Sequence, residues 1–123
     1  MTVPILKQGD HLIASVQSAL SDAELTDFAD ELAERVGRFR SRGVVIDVSA
    51  VDLLDSFATR TLRTIALVSR LRGAEAVIVG IQPDVAFAMV QLGLSFEGVT
   101  TALDLEEGLA YLRRPKEGDL GAR

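Results

Sequence analysis

Two short, unbroken β-branched runs constrain this chain more than any other feature. Val44-Val45-Ile46-Asp47-Val48 and Ala76-Val77-Ile78-Val79 lack the apolar–polar alternation of a strand with one wet face. Such runs read as strands buried on both faces, the signature of a parallel sheet. Between them lies a segment of helical periodicity, roughly Ser56 to Arg72, with Ala58, Leu62, Ile65 and Ser69 on one face and Gly73 as its stop. Strands alternating with helices in this way imply a largely parallel sheet.

The flanking segments extend the pattern. Ile5-Leu6 and Leu12 to Val16 sit on either side of Gln8-Gly9-Asp10, which suits a tight reversal, so the chain opens on a β-hairpin. Ser21 followed by Glu24 makes a capping box, and Leu20 with Leu25 makes a hydrophobic staple. The helix that starts there carries Leu25, Phe28, Leu32, Val36 and Phe39 at helical spacing. Acidic residues fill its first turns and Arg38, Arg40 and Arg42 its last, with Gly43 as a left-handed stop. Pro83 opens a third helix with Val85, Ala86, Met89 and Val90 inward and Gly93 after its end. Val99 and Thr100 read as a short edge strand. Thr101 with Asp104 resembles a second capping box, ahead of a helix with Leu105, Leu109 and Leu112 on one side and Pro115 at its end. The expectation is an α/β fold in one domain, residues 1–114. It has a mixed, mostly parallel sheet, an N-terminal hairpin and about four helices. Residues 115–123 are expected to be a flexible tail, since Lys116 to Arg123 has almost no apolar content.

Composition narrows the function. Among 123 residues there are 13 Lys and Arg against 18 Asp and Glu, a formal net charge of −5, which argues against nucleic acid and against an anionic membrane surface. There is no cysteine, hence no disulfide, thiolate metal site or thiol nucleophile. The apolar runs, such as Val85 to Val90, are too short to span a bilayer, and no secretory signal opens the chain, so a cytoplasmic location is expected. Enzyme signatures are missing: no glycine-rich phosphate loop, no G-x-S-x-G elbow, and one histidine, His11, without a motif partner. A zinc site would need that single histidine plus carboxylates. No cofactor, metal or catalytic set is expected.

Two groups of residues remain. Arg60, Arg63, Leu67 and Arg70 share one face of the second helix. They read either as a solvated face with one exposed leucine or as a protein-contact surface. The stretch from Asp47 through Asp52 and Asp55 to Ser56 and Phe57 runs off a buried strand into a helix start, the usual functional edge of an open α/β sheet. Its aspartates suggest a receiver domain. That reading fails because the first strands offer only Asp10 and no lysine lies between Lys7 and Lys116. Ser56 reads either as a helix N-cap or as a modification site. At a helix N-terminus a phosphate is tolerated, while beside Asp52 and Asp55 it would repel an acidic partner.

Asp55-Ser56-Phe57 at such a junction resembles the phosphorylation site of STAS-domain anti-sigma-factor antagonists. Pro4-Ile5-Leu6-Lys7, Val44-Val45-Ile46-Asp47, Gly80-Ile81-Gln82-Pro83 with Val85-Ala86, and Thr101 through Glu106 are similar to the RsbS-type stressosome subfamily. Together these segments span roughly Val3 to Arg113. The resemblance implies a non-enzymatic protein with Ser56 as phosphoacceptor and Asp52, Asp55 and Phe57 around it. It implies co-assembly with an RsbR-type STAS paralogue and capture of an RsbT-type serine kinase, which leaves when the serine is phosphorylated. An RsbX-type phosphatase resets the site. The chain alone is expected to form a dimer or larger assembly. The alternative is a stand-alone antagonist that binds an anti-sigma kinase directly.

Overall fold

Nine elements follow one another: β1 (Ile5–Gln8), β2 (His11–Ser15), α1 (Asp22–Phe39), β3 (Gly43–Asp47), α2 (Ser56–Leu71), β4 (Glu75–Val79), α3 (Pro83–Gln91), β5 (Thr100–Ala102) and α4 (Leu105–Arg113). They come from a computed structural model, which describes residues 3–115. The five strands form one sheet in the order β1-β2-β3-β4-β5. The β1–β2 hairpin is antiparallel and every other pairing is parallel.

The two β-branched runs lie side by side at the centre, as β3 and β4. Val45 faces Ile13 on one side and Val77 on the other, and Ile46 faces Ala14 and Ile78. Alternation along each strand then sorts side chains to two faces. Leu12, Ala14, Val44, Ile46, Ala76 and Ile78 meet the inward stripes of α1, α2 and α3. Ile13, Val45, Val77 and Val79 meet Leu109 and Leu112 of α4. Val44, Val45, Ile46, Val77, Ile78 and Val79 are all 0% exposed, so both runs are buried on both faces as their composition requires. Each such side chain contributes about 1.5–3 kcal/mol on burial.

The start of α1 follows the capping box. Ser21 Oγ accepts from the Glu24 N–H at 3.1 Å, and Glu24 Oε1 accepts from the Ser21 N–H at 2.9 Å. Its end differs from the expectation. Arg40, not Gly43, takes the left-handed conformation with φ of 49°, and the Ser41 N–H returns to the Val36 carbonyl at 3.1 Å. Gly43 instead opens β3. A Cβ there would lie 2.8 Å from His11 Cδ2 and 2.9 Å from Leu112 Cδ1, so glycine admits α4 against the sheet. Phe39 falls beyond the inward stripe; it is exposed, with the Arg38 guanidinium 4.8 Å from its ring centre.

Three further expectations are corrected. In α3 only Val85 and Met89 are buried, while Ala86 is exposed and Val90 is 77% exposed. The helix is nine residues long and meets the core along a single i,i+4 stripe. Thr101 does not cap α4, because it sits in β5 opposite Ile78. Asp104 is the cap, accepting from the Glu107 N–H at 2.9 Å. The edge strand begins at Thr100, and Val99 packs against the core instead. The tail expected from Lys116 to Arg123 lies outside the described residues. Among the described residues no helix is long and apolar enough to cross a membrane, and no group of three or more metal-binding side chains is gathered.

Candidate functional site at the start of the second crossover helix

The parallel strands β3 and β4 end together, and the loops leaving them build the site. Residues 48–55 link β3 to α2. Val48, Val51 and Leu54 in this loop are buried, which pins it to the core. The Val48 N–H extends the ladder to the Val79 carbonyl at 3.0 Å, and Val51 turns back to the Val48 carbonyl at 3.0 Å. Asp47 Oδ1 accepts from the Ser49 N–H at 2.9 Å, closing an Asx turn. The loop is thus held at both ends by backbone bonds and in the middle by apolar anchors.

Asp55 is the N-cap of α2. Its backbone is extended and its Oδ1 accepts from the Ala58 N–H at 2.7 Å. A cap of this kind contributes about 1 kcal/mol, and the carboxylate also faces the positive end of the helix dipole. Ser56 is therefore the first helical residue and not the cap. This corrects the capping reading of Ser56: both residues suit the role, and the chain enters the helix one position earlier. Ser56 is exposed, and no hydrogen bond among the described residues uses its hydroxyl. The Ser56 and Phe57 N–H groups belong to the first turn, where intrahelical acceptors are lacking.

Around Ser56 the surface is mixed. Asp52 is exposed, Leu53 is 63% exposed and Phe57 is 36% exposed. A small cavity of about 120 Å³ lies beside the cap, lined by Leu20, Leu25, Val51, Leu53, Leu54 and Asp55 among others. The loop after β4 supports the same edge. Gly80 has a φ of +82°, and Gln82 Nε2 donates to the Ser49 carbonyl at 2.9 Å, tying the two loops together. Composition and spacing assign no role to Gly80 or Gln82. Their only signal is membership of the Gly80-Ile81-Gln82-Pro83 segment.

The basic face of α2 is divided. Arg63 Nε donates to the Glu97 carbonyl at 2.6 Å, and an Arg70 guanidinium N–H donates to the Gly98 carbonyl at 3.3 Å. Leu67 is half-buried beside Ala76, Val99 and Thr100. These three close the flank of α2 against the chain that leads into β5. Arg60 is exposed, and none of the ion pairs or hydrogen bonds among the described residues involves it. Thr59, about one turn along α2 from Ser56, is 1% exposed and its hydroxyl has no partner among the described residues.

A mostly parallel sheet with a hairpin at one edge and an exposed serine just inside a capped helix at its carboxyl edge defines a class. The STAS domain model matches residues 2–108, and the chain belongs to that family. Over its whole length it is similar to RsbS from Moorella thermoacetica, solved as a serine-to-glutamate variant. The identity is 34%, the match covers 98% of both chains, and the TM-score is 0.76. It is also similar to a chain of the stressosome, described as a signal integration and transduction hub, at 34% identity and a TM-score of 0.73, covering 89% of this chain and 96% of that one. Among curated proteins, the RsbT co-antagonist protein RsbRC of Bacillus subtilis (strain 168) is 37% identical over 65 residues, which is 53% of this chain. The match spans 23% of RsbRC, and a similar match spans 29% of RsbRA from the same organism.

Proposed function

We propose that this chain is a non-enzymatic, phosphorylatable scaffold of a bacterial stressosome, working in the cytoplasm. In this reading it co-assembles with an RsbR-type STAS paralogue and holds an RsbT-type serine kinase. Phosphorylation of Ser56 releases the kinase, and an RsbX-type phosphatase resets the serine. The observation that carries the reading is the placement of Ser56. It is exposed, relieved of capping by Asp55, and set at the carboxyl edge of the sheet in a chain similar to RsbS from end to end. A phosphate there would meet the helix dipole and unpaired N–H groups, so it can be carried without unfolding the helix. It would also add about −1.5 to −2 charges beside Asp52 and Asp55, altering what the surface binds.

Assembly supplies the test. Alone, the chain is expected to run as a dimer or small oligomer in light scattering coupled to size exclusion. Mixed with an RsbR-type partner, it is expected to enter a much larger particle. A mixture that stays at the size of its components would contradict the scaffold reading and favour a stand-alone antagonist that binds its kinase directly.

A further inference from the structure

Ser56 and Arg60 are four residues apart on α2, so they face the same way one turn apart. Long side chains on a helix lean toward its N-terminus, which carries Arg60 back over the turn that Ser56 begins. The order, anion first and cation four residues later, is the favourable one for such pairs. Arg60 is also uncommitted: it is exposed and joins none of the ion pairs among the described residues. The next guanidinium on this face, Arg63, is two turns from Ser56 and already donates to the Glu97 carbonyl.

We propose that Arg60 is the intramolecular partner of the phosphate on Ser56, pairing with it across one turn of α2. The proposal rests on the reading of Ser56 as phosphoacceptor. Its consequence is that phosphorylation alters two places at once. Negative charge appears at the sheet edge, and the one uncommitted arginine of the α2 flank is neutralised. A partner touching either place is affected. Arg60 is a positioning residue here: it fixes where the phosphate lies relative to Asp52 and Asp55, the carboxylates flanking Ser56 in the preceding loop, and takes no part in phosphate transfer.

The test titrates the phosphate itself. Phosphoserine is installed at position 56 during synthesis of the full chain, so no kinase is required, and the phosphorus resonance is followed against pH. The second ionisation of the phosphate is expected to move up by about 0.15–0.4 pH unit in Arg60→Gln, the size of one exposed helical ion pair. Arg60→Lys should restore part of the shift, and Arg63→Gln should titrate as wild type does. High salt should shrink the difference, because the pair is exposed. Asp52 and Asp55 are present in every protein compared, so they cancel. Arg60→Gln titrating like wild type would overturn the proposal, as would an equal shift from Arg63→Gln. Failure of a kinase to label Ser56 would instead overturn the phosphoacceptor reading and leave this titration standing.

Discussion

A Ser56→Asp chain is expected to melt within a few degrees of wild type and to bind the RsbT-type kinase at least about tenfold more weakly. The first half follows from the cap. Asp55 accepts the Ala58 N–H, so the change at Ser56 removes no capping bond. The new carboxylate gains about 0.3–1 kcal/mol from the helix dipole and loses a similar amount to Asp52 and Asp55. For a domain of this size 1 kcal/mol corresponds to about 3–6 °C, so near-cancellation leaves a small shift. The second half rests on the proposed kinase interface, where a like-charge contact costs several kcal/mol and each 1.4 kcal/mol is about tenfold in affinity. Thermal melting by circular dichroism and calorimetric titration with the kinase read the two halves separately. A steep fall in melting temperature would give Ser56 a packing role. Unchanged affinity would mean that charge at this position is not what the kinase senses.

Gly80→Ala is expected to be strongly damaging at the sheet edge, at about 2–5 kcal/mol. Gly80 has φ of +82°, where an L side chain costs about 1–2 kcal/mol. An added Cβ would also stand 2.8 Å from Ser49 Cβ and 3.1 Å from the Ser49 backbone nitrogen, which the Asx turn holds in place. Overpacking of this kind adds about 1–3 kcal/mol. Gly93 separates the two causes. Its φ is +72° but no atom lies within 4 Å of its added Cβ, so Gly93→Ala should cost only the backbone part, about 1–2 kcal/mol. Urea unfolding of both variants measures the difference. Equal losses would mean that the approach of Gly80 to Ser49 does not constrain the loop.

The sheet centre was legible because its signal is local. An unbroken β-branched run can satisfy itself only between two covered faces, and Val44 to Ile46 and Val77 to Val79 are there. The capping box at Ser21 and Glu24 was legible for the same reason, since its two hydrogen bonds span three residues. What escaped depends on distant contacts. Gly43 looks like a helix stop until Leu112 and His11 are placed against it. Thr101 looks like a cap until Ile78 pairs with it. Val90 shares helical spacing with buried residues of α3, but a two-turn helix at the margin buries only one stripe. The position of Ser56, exposed at the start of α2 beyond β3, was readable from the strand-to-helix junction. The division of labour between Asp55 and Ser56 was not, because both residue types favour the first positions of a helix. Nor was the engagement of Arg63 and Arg70, whose acceptors are carbonyls about thirty residues away.

Phosphopeptide mapping after incubation with the RsbT-type kinase and ATP tests the central claim most directly. The wild-type chain should carry one dominant phosphate, on the peptide containing Ser56, and Ser56→Ala should lose nearly all of the label. Labelling of Ser56→Ala at the wild-type level, or a dominant phosphate on another residue, would contradict the account.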